Sequence, residues 1–268
     1  YIMRMPPDRY SAILKYSISP EIEVFSTLRN GAGISEGTYS SFNISPYCND
    51  NKQNVKVNLS ILSSILGIPE ERIVLPHQTH GCQYKTITEN FFEIDDVGRR
   101  KFLENTDALI TALTGTCIGI TTADCVPVLL FDKKKKVTAA IHAGWRGTAN
   151  HIIRKTVDEL LLSHNCNPRD ILAVIGPSIS MQAFEVGQEV YDTFKDREFD
   201  MLSVAKFMFN KWHIDLQRAN KLELLKIGIP ERNITDCGIC TYENYLNFFS
   251  ARRLSVNCGR IYSGIIIK

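Results

Sequence analysis

The sequence carries one thiol and two imidazoles in three short segments rich in glycine and small residues. Cys125 lies in Thr121-Thr122-Ala123-Asp124-Cys125-Val126-Pro127, His142 in His142-Ala143-Gly144-Trp145-Arg146-Gly147, and His80 in Gln78-Thr79-His80-Gly81. Two histidines and one cysteine suit a zinc ion that keeps a fourth position for water or substrate. The same set suits a blue-copper centre when a weak axial ligand such as Met stands near, and none of the five methionines adjoins these segments. A third chemistry needs no metal: Cys125 as nucleophile with His142 as its base. His77, three residues before His80, competes for the same role.

The elements around Cys125 and His142 explain why they should meet. The apolar runs 126–131 and 137–141 flank the lysine run 133–136, the pattern of a β-hairpin. A two-residue Lys133-Lys134 loop sets Cys125 directly across from His142, with Cα atoms about 4.5–5.5 Å apart. Arg146 stands between Gly144 and Gly147, ahead of a helix for which Thr148 is the expected N-cap. Free amides at a helix start plus a guanidinium make an anion site within reach of His142. Asp124 is a candidate acid/base or supporting carboxylate, although neighbours on a strand face opposite ways.

Apolar periodicity predicts strands over 22–27, 73–75, 108–111, 117–121, 171–175 and 260–267. Helices are expected over 51–66, closed by Gly67, from Thr148 to about residue 163, and over 189–194 and 214–225. Strands and helices do not alternate regularly, so a single α+β domain over 1–268 is expected, with mixed sheet flanked by helices. Three motif-like strings carry no function in this setting. Gly33-Ile34-Ser35-Glu36-Gly37 matches a nucleophile elbow but no helix start follows it. Cys237-Gly238-Ile239-Cys240 is half a structural zinc site, and the lysine run has no interleaved aromatic residues, which argues against nucleic acid.

Hydrophobic residues make up 44% of the 268, charged residues 22%, and the net charge is +2, the balance of a globular protein with no polyanionic partner. No apolar run is long enough to span a bilayer. The polar start around Arg4, Asp8 and Arg9 does not read as a signal peptide, and the eight cysteines do not read as a disulfide framework. A cytoplasmic monomer or homodimer with reduced thiols is expected.

Taken in order, several segments resemble the YfiH-like family, long labelled laccase-domain or multicopper polyphenol oxidoreductases and now described as purine nucleoside phosphorylases. The resemblance runs through Thr27-Leu28-Arg29-Asn30-Gly31-Ala32-Gly33, Ser41-Phe42-Asn43-Ile44-Ser45 and the three segments above. It continues in Ile175-Gly176-Pro177-Ser178, Phe184-Glu185-Val186-Gly187 and Phe249-Ser250-Ala251-Arg252-Arg253. It implies zinc held by His80, Cys125 and His142. It also implies phosphorolysis of adenosine, inosine and methylthioadenosine, with adenosine deamination at the same site, so that purine nucleoside and phosphate are the partners. The chain departs from the family near Cys48-Asn49-Asp50 and at Leu254. A true laccase needs more imidazoles than the six histidines present. A cysteine hydrolase or amidase acting on cell-wall precursors, a copper-dependent phenol oxidase, and a metal-dependent scaffold stay open as alternatives.

Overall fold

The apolar strands of the centre are buried on both faces, and this decides the architecture. Every residue of Val126–Asp132 and Val137–Ala143 is buried, as expected for strands covered on two sides. In the computed structural model, which describes residues 12–268, they form the middle of a six-stranded mixed sheet. Its order is Ile234–Asp236, Ile171–Ile175, Val126–Asp132, Val137–Ala143, Ala108–Thr111, Tyr84–Ile87. A five-stranded sheet in the order Ile13–Lys15, Ile22–Thr27, Ile261–Ile267, Cys117–Thr122, Ile73–Val74 packs against it. The strand latest in sequence thus sits in the middle of this second sheet. The polar start at Arg4, Asp8 and Arg9 lies outside the described residues.

Alternation along each strand sorts the side chains into layers. Leu129, Phe131 and Ala140 point at the five-stranded sheet and meet Val24, Ile118, Ile120 and Ile265. Val126, Val128, Leu130 and Ile141 point the other way, onto Ile152, Val157, Ala219 and Leu224 of the helices Ile152–His164 and Leu216–Ile227. The outer face of the five-stranded sheet, with Phe25, Tyr262 and Ile266, is covered by Leu62 of the helix Lys52–Leu66. The result is one domain of four layers, helix, sheet, sheet, helices, in the expected α+β class. The helix Lys52–Leu66 ends where expected and starts one residue later, for local reasons. Asn51 accepts from the amides of Gln53 and Asn54, and Gly67 closes the helix at φ 66. Among the described residues no helix is long and apolar enough to cross a membrane.

The central hairpin departs from its expected register. Asp132 pairs with Val137 and Pro127 with His142, so the turn spans 133–136. Asp132 explains the longer loop: its carboxylate accepts from the amides of Lys134 (2.8 Å) and Lys135 (2.9 Å), while Lys136 takes φ 52. His142 therefore faces Pro127, and Cys125 lies just outside the ladder. A slip of two residues, unlike a slip of one, keeps each side chain on its own face, so thiol and ring still converge.

Two other expectations are corrected. Thr148 is not an N-cap: Gly144, in extended conformation, starts a short helix Trp145–Ala149, and buried Thr148 accepts from Asn220 Nδ2 (3.0 Å). A second helix, Ile152–His164, begins after His151, whose φ is 60. The helix expected from 214 starts at Leu216, because the Asp215 carboxylate caps the Arg218 amide (2.8 Å). Ile214 instead ends the strand Lys211–Ile214, which joins Glu185–Val186 and Ala205–Met208 in a small third sheet.

Candidate metal centre

His142, near the end of its strand, is 3% exposed and is fixed twice by one residue. Its amide donates to the Asp107 carbonyl (2.8 Å), and its Nδ1 meets Asp107 Oδ1 (2.8 Å). Asp107 is wholly buried at the start of the strand Ala108–Thr111. Its carboxylate also accepts from the amides of Thr79 (3.3 Å), His80 (3.0 Å) and Gly81 (2.8 Å). Successive amides wrapped on one anion form a nest, completed here by His80 in the left-handed region at φ 61. One carboxylate thus positions both imidazoles, which stand 4.9 Å apart and nearly perpendicular.

Cys125 Sγ completes the group. The donor atoms of His80, Cys125 and His142 all lie within 4.8 Å of one another. Gly144 lets them converge, since a Cβ there would stand 3.0 Å from His80 Cδ2 and 3.1 Å from Cys125 Sγ. A Gly144→Ala variant is expected to weaken any metal held by these three side chains about tenfold, read by chelator competition; unchanged affinity would show that they tolerate the methyl group.

Burial works against both charged forms, but the two groups favour each other's charge. Burial alone would raise the Cys125 thiol; the facing His142, and His80 beside it, bring it down to about 6. Burial alone would lower His142; the Cys125 thiolate and the Asp107 carboxylate bring it up to about 9. Asp107 resists burial in the same way and sits below its ordinary value, through its bonds to His142, Gly81 and Thr79.

The donor set fits a zinc ion. A thiolate is available near neutral pH, and Asp107 on Nδ1 leaves Nε2 of His142 as the ligating atom. A tetrahedral ion with bonds of about 2.0–2.3 Å would draw such atoms slightly closer together. His80, the most exposed of the three, faces a cavity of about 340 Å3. Its walls include Tyr47, His77, Gln78, Thr121, Ala251 and Arg260. Tyr47 stacks on His77 (4.5 Å between rings), and His77 Nδ1 is tied to Glu104 (2.6 Å). His77 therefore belongs to the wall and not to the donor group. Gln78 is clamped to Thr121 through both ends of its amide (2.8 and 2.7 Å).

The other expected residues fall elsewhere. Asp124, at φ 89, does not line the cavity: its carboxylate oxygens accept from Thr241 Oγ1 (2.7 Å) and the Arg252 amide (2.7 Å). It pins the segment behind the cavity wall to the turn carrying Cys125. Arg146 is exposed inside the short helix, its guanidinium over the Trp145 ring at 4.3 Å, and does not line the cavity. Arg260 does, and the sequence reading missed it, as it missed Tyr47 and Asp107. An acid directly before a buried strand was the only local sign of Asp107.

Among the described residues, none of the remaining strings lines the cavity. The three-residue helix after the Gly33 segment is not the helix of an elbow, and Ser35 hydrogen-bonds to Asp50 (2.7 Å). Cys237 is pushed up to about 12 by burial, and Cys240 Sγ accepts from the Ser180 amide (3.3 Å). All eight cysteines are free. Two of the loop lysines, Lys134 and Lys136, are engaged by Asp170 and Glu21. Among the described residues, the His80, Cys125, His142 group is the one cluster suited to a metal.

The chain is similar to known proteins over nearly its whole length. The family described as multi-copper polyphenol oxidoreductase laccase matches residues 23–268. A purine nucleoside phosphorylase of Bacteroides thetaiotaomicron is 44% identical over 260 residues, covering 96% of this chain and 95% of that protein. Adenosine deaminase RL5, from an unknown prokaryotic organism, is 39% identical over 249 residues, covering 92% and 94%. Among solved structures, YfiH of Bacillus licheniformis superposes with a TM-score of 0.89 at 29% identity, covering 96% of this chain and 97% of that one.

Proposed function

Because the chain belongs to the multi-copper polyphenol oxidoreductase laccase family of YfiH-like proteins, whose relatives include a named purine nucleoside phosphorylase and a named adenosine deaminase, we propose that it is a zinc-dependent enzyme of purine nucleosides. The reading is phosphorolysis of adenosine, inosine and methylthioadenosine, with adenosine deamination at the same site. The observation that supports it best is the three-donor group at one end of a cavity, with its open side toward that cavity.

His80, Cys125 and His142 would hold the ion, and when bound it supplies Lewis acidity that activates water for deamination or balances the charge of phosphate. The protein's own groups do the rest. Asp107 keeps the His142 proton on Nδ1 and the His80 loop in place. The stacked Tyr47 and His77 rings offer a flat wall against which a purine can lie. Asp124 acts as a positioning residue through the segment it pins. Arg146 lies in the short helix that follows His142, and orienting phosphate is its role once the guanidinium leaves the Trp145 ring and turns to the cavity. Arg146→Ala is therefore expected to raise the KM for phosphate about tenfold and leave deamination nearly unchanged. Equal losses in both reactions would remove this role, and a phosphate effect confined to Arg260→Ala would move it to the arginine that lines the cavity.

Product identification from adenosine, with and without phosphate, tests the activity. Adenine with phosphate and inosine without it are expected; no turnover by zinc-loaded protein in either condition would refute the reading. One observation favours a second reading. Cys125, His142 and Asp107 also form a thiolate, imidazole, carboxylate series, the arrangement of a cysteine hydrolase. His80, aimed at the same sulfur, has no task in such an enzyme, which is why the metal reading is preferred. Copper is less suited than zinc, since among the described residues no methionine lines the cavity.

A further inference from the structure

A second cavity, of about 360 Å3, opens between the helices Ile152–His164 and Leu216–Ile227 and the loop 197–200, and among the described residues it shares none of its lining with the metal centre. A buried carboxylate lines it. The Glu223 side chain is 5% exposed, and one oxygen is bonded to His151 Nδ1 at 2.7 Å. Its other oxygen, Oε2, is buried with no partner. A buried acceptor left unmade is costly, and more so for a charged group. The oxygen calls for a donor that the protein does not supply.

The rest of the lining describes what would carry that donor. His151 and Phe199 are stacked within 2° of parallel, with ring centroids 5.2 Å apart, and both rings belong to the lining. Arg154, Arg197 and Lys226 line the same cavity, and none of them forms a salt bridge among the described residues. Arg197 and Lys226 are exposed at its mouth, beside the exposed carboxylates of Glu198 and Asp200. Cations interleaved with acids at a rim suit a single anionic group better than a polyphosphate.

We propose that this cavity is a second binding site, for a nucleoside monophosphate with an amino-bearing base. The exocyclic amine donates to Glu223 Oε2, the base lies along Phe199, and the phosphate meets Arg154, Arg197 and Lys226. The proposal stands apart from the chemistry at the metal centre, because its test perturbs residues that only this cavity contains.

The test is equilibrium titration of the zinc-loaded protein with AMP, by calorimetry, for wild type, Arg154→Ala and Leu222→Trp, which fills the cavity. Saturable binding by wild type is expected, weakened about tenfold or more in Arg154→Ala through the lost charged hydrogen bond and abolished in Leu222→Trp. Zinc content equal to wild type serves as the control for folding. Absence of saturable AMP binding to wild type would overturn the proposal. So would binding of equal strength in wild type and both variants, which would place the AMP elsewhere.

Discussion

Replacing Asp107 with Asn is expected to weaken zinc binding by about ten- to a hundredfold while leaving the fold in place. The side chain keeps its shape, but its charge and half of its acceptor capacity are gone. In the native protein one carboxylate takes the Nδ1 proton of His142 and three amides from the His80 loop. An Asn at this position must turn its NH2 toward one of these donors, so either the imidazole loses its orientation or the loop loses its anchor. Both proposed ligands suffer from one change, which is why a residue outside the donor group should have so large an effect. Chelator competition gives the affinity, and a thermal melt reports the fold. A variant with native affinity would mean that the three amides alone, and not the charge they enclose, hold the site together.

Stripping the protein with a chelator is expected to abolish phosphorolysis and deamination together, by about a hundredfold or more, with recovery on adding zinc. The same treatment separates the metal reading from the cysteine hydrolase. With a metal on the sulfur, Cys125 is shielded from alkylation; once stripped, it stands as a thiolate beside His142, since its pKa is near 6. The sign follows from that value: the stripped protein should react quickly with iodoacetamide at pH 7 and lose the reactivity as the pH falls below about 6, where the thiol takes up its proton. Activity that survives chelation, and is lost to alkylation of the untreated protein, would assign the chemistry to the thiol. Mass spectrometry of the labelled peptide identifies the cysteine.

The parts of the molecule that were legible in the sequence are those decided by local chemistry. The helix Lys52–Leu66 begins at an Asn and ends at a Gly because both supply what a helix end lacks. The strands Ala108–Thr111 and Ile171–Ile175 are apolar runs that only a sheet interior accepts. The proximity of Cys125 and His142 survived a wrong turn length because a two-residue slip preserves the face. What was not legible depends on distant partners. Asp107 becomes important only when the chain brings the Thr79 to Gly81 amides around it. Thr148 looks like a cap in isolation and is a buried hydroxyl bound to Asn220 in context. Arg146 reads as an anion ligand beside two glycines, yet its guanidinium rests on Trp145 while Arg260, far along the chain, reaches the cavity. The match of residues 23–268 to the family agrees with the resemblance carried by the motifs.

The position of Ile261–Ile267 between Ile22–Thr27 and Cys117–Thr122 also sets the order in which the molecule can assemble. A sheet whose central strand is the latest in sequence cannot close progressively as the chain grows. Until that strand arrives, the edges of Ile22–Thr27 and Cys117–Thr122 present unpaired backbone to one another and to other chains. Pairings such as Ser263 with Ser26 span almost the whole described chain, so the loop closed in making them is nearly as long as the protein, and folding should be correspondingly slow. The helix-backed sheet holding Cys125 and His142 is complete in sequence by Asp236, whereas the wall that shapes the cavity includes Ala251 and Arg260. Along the chain the donor side chains thus precede the residues that enclose them, and the pocket wall rests on the same late part of the sequence as the central strand of the second sheet.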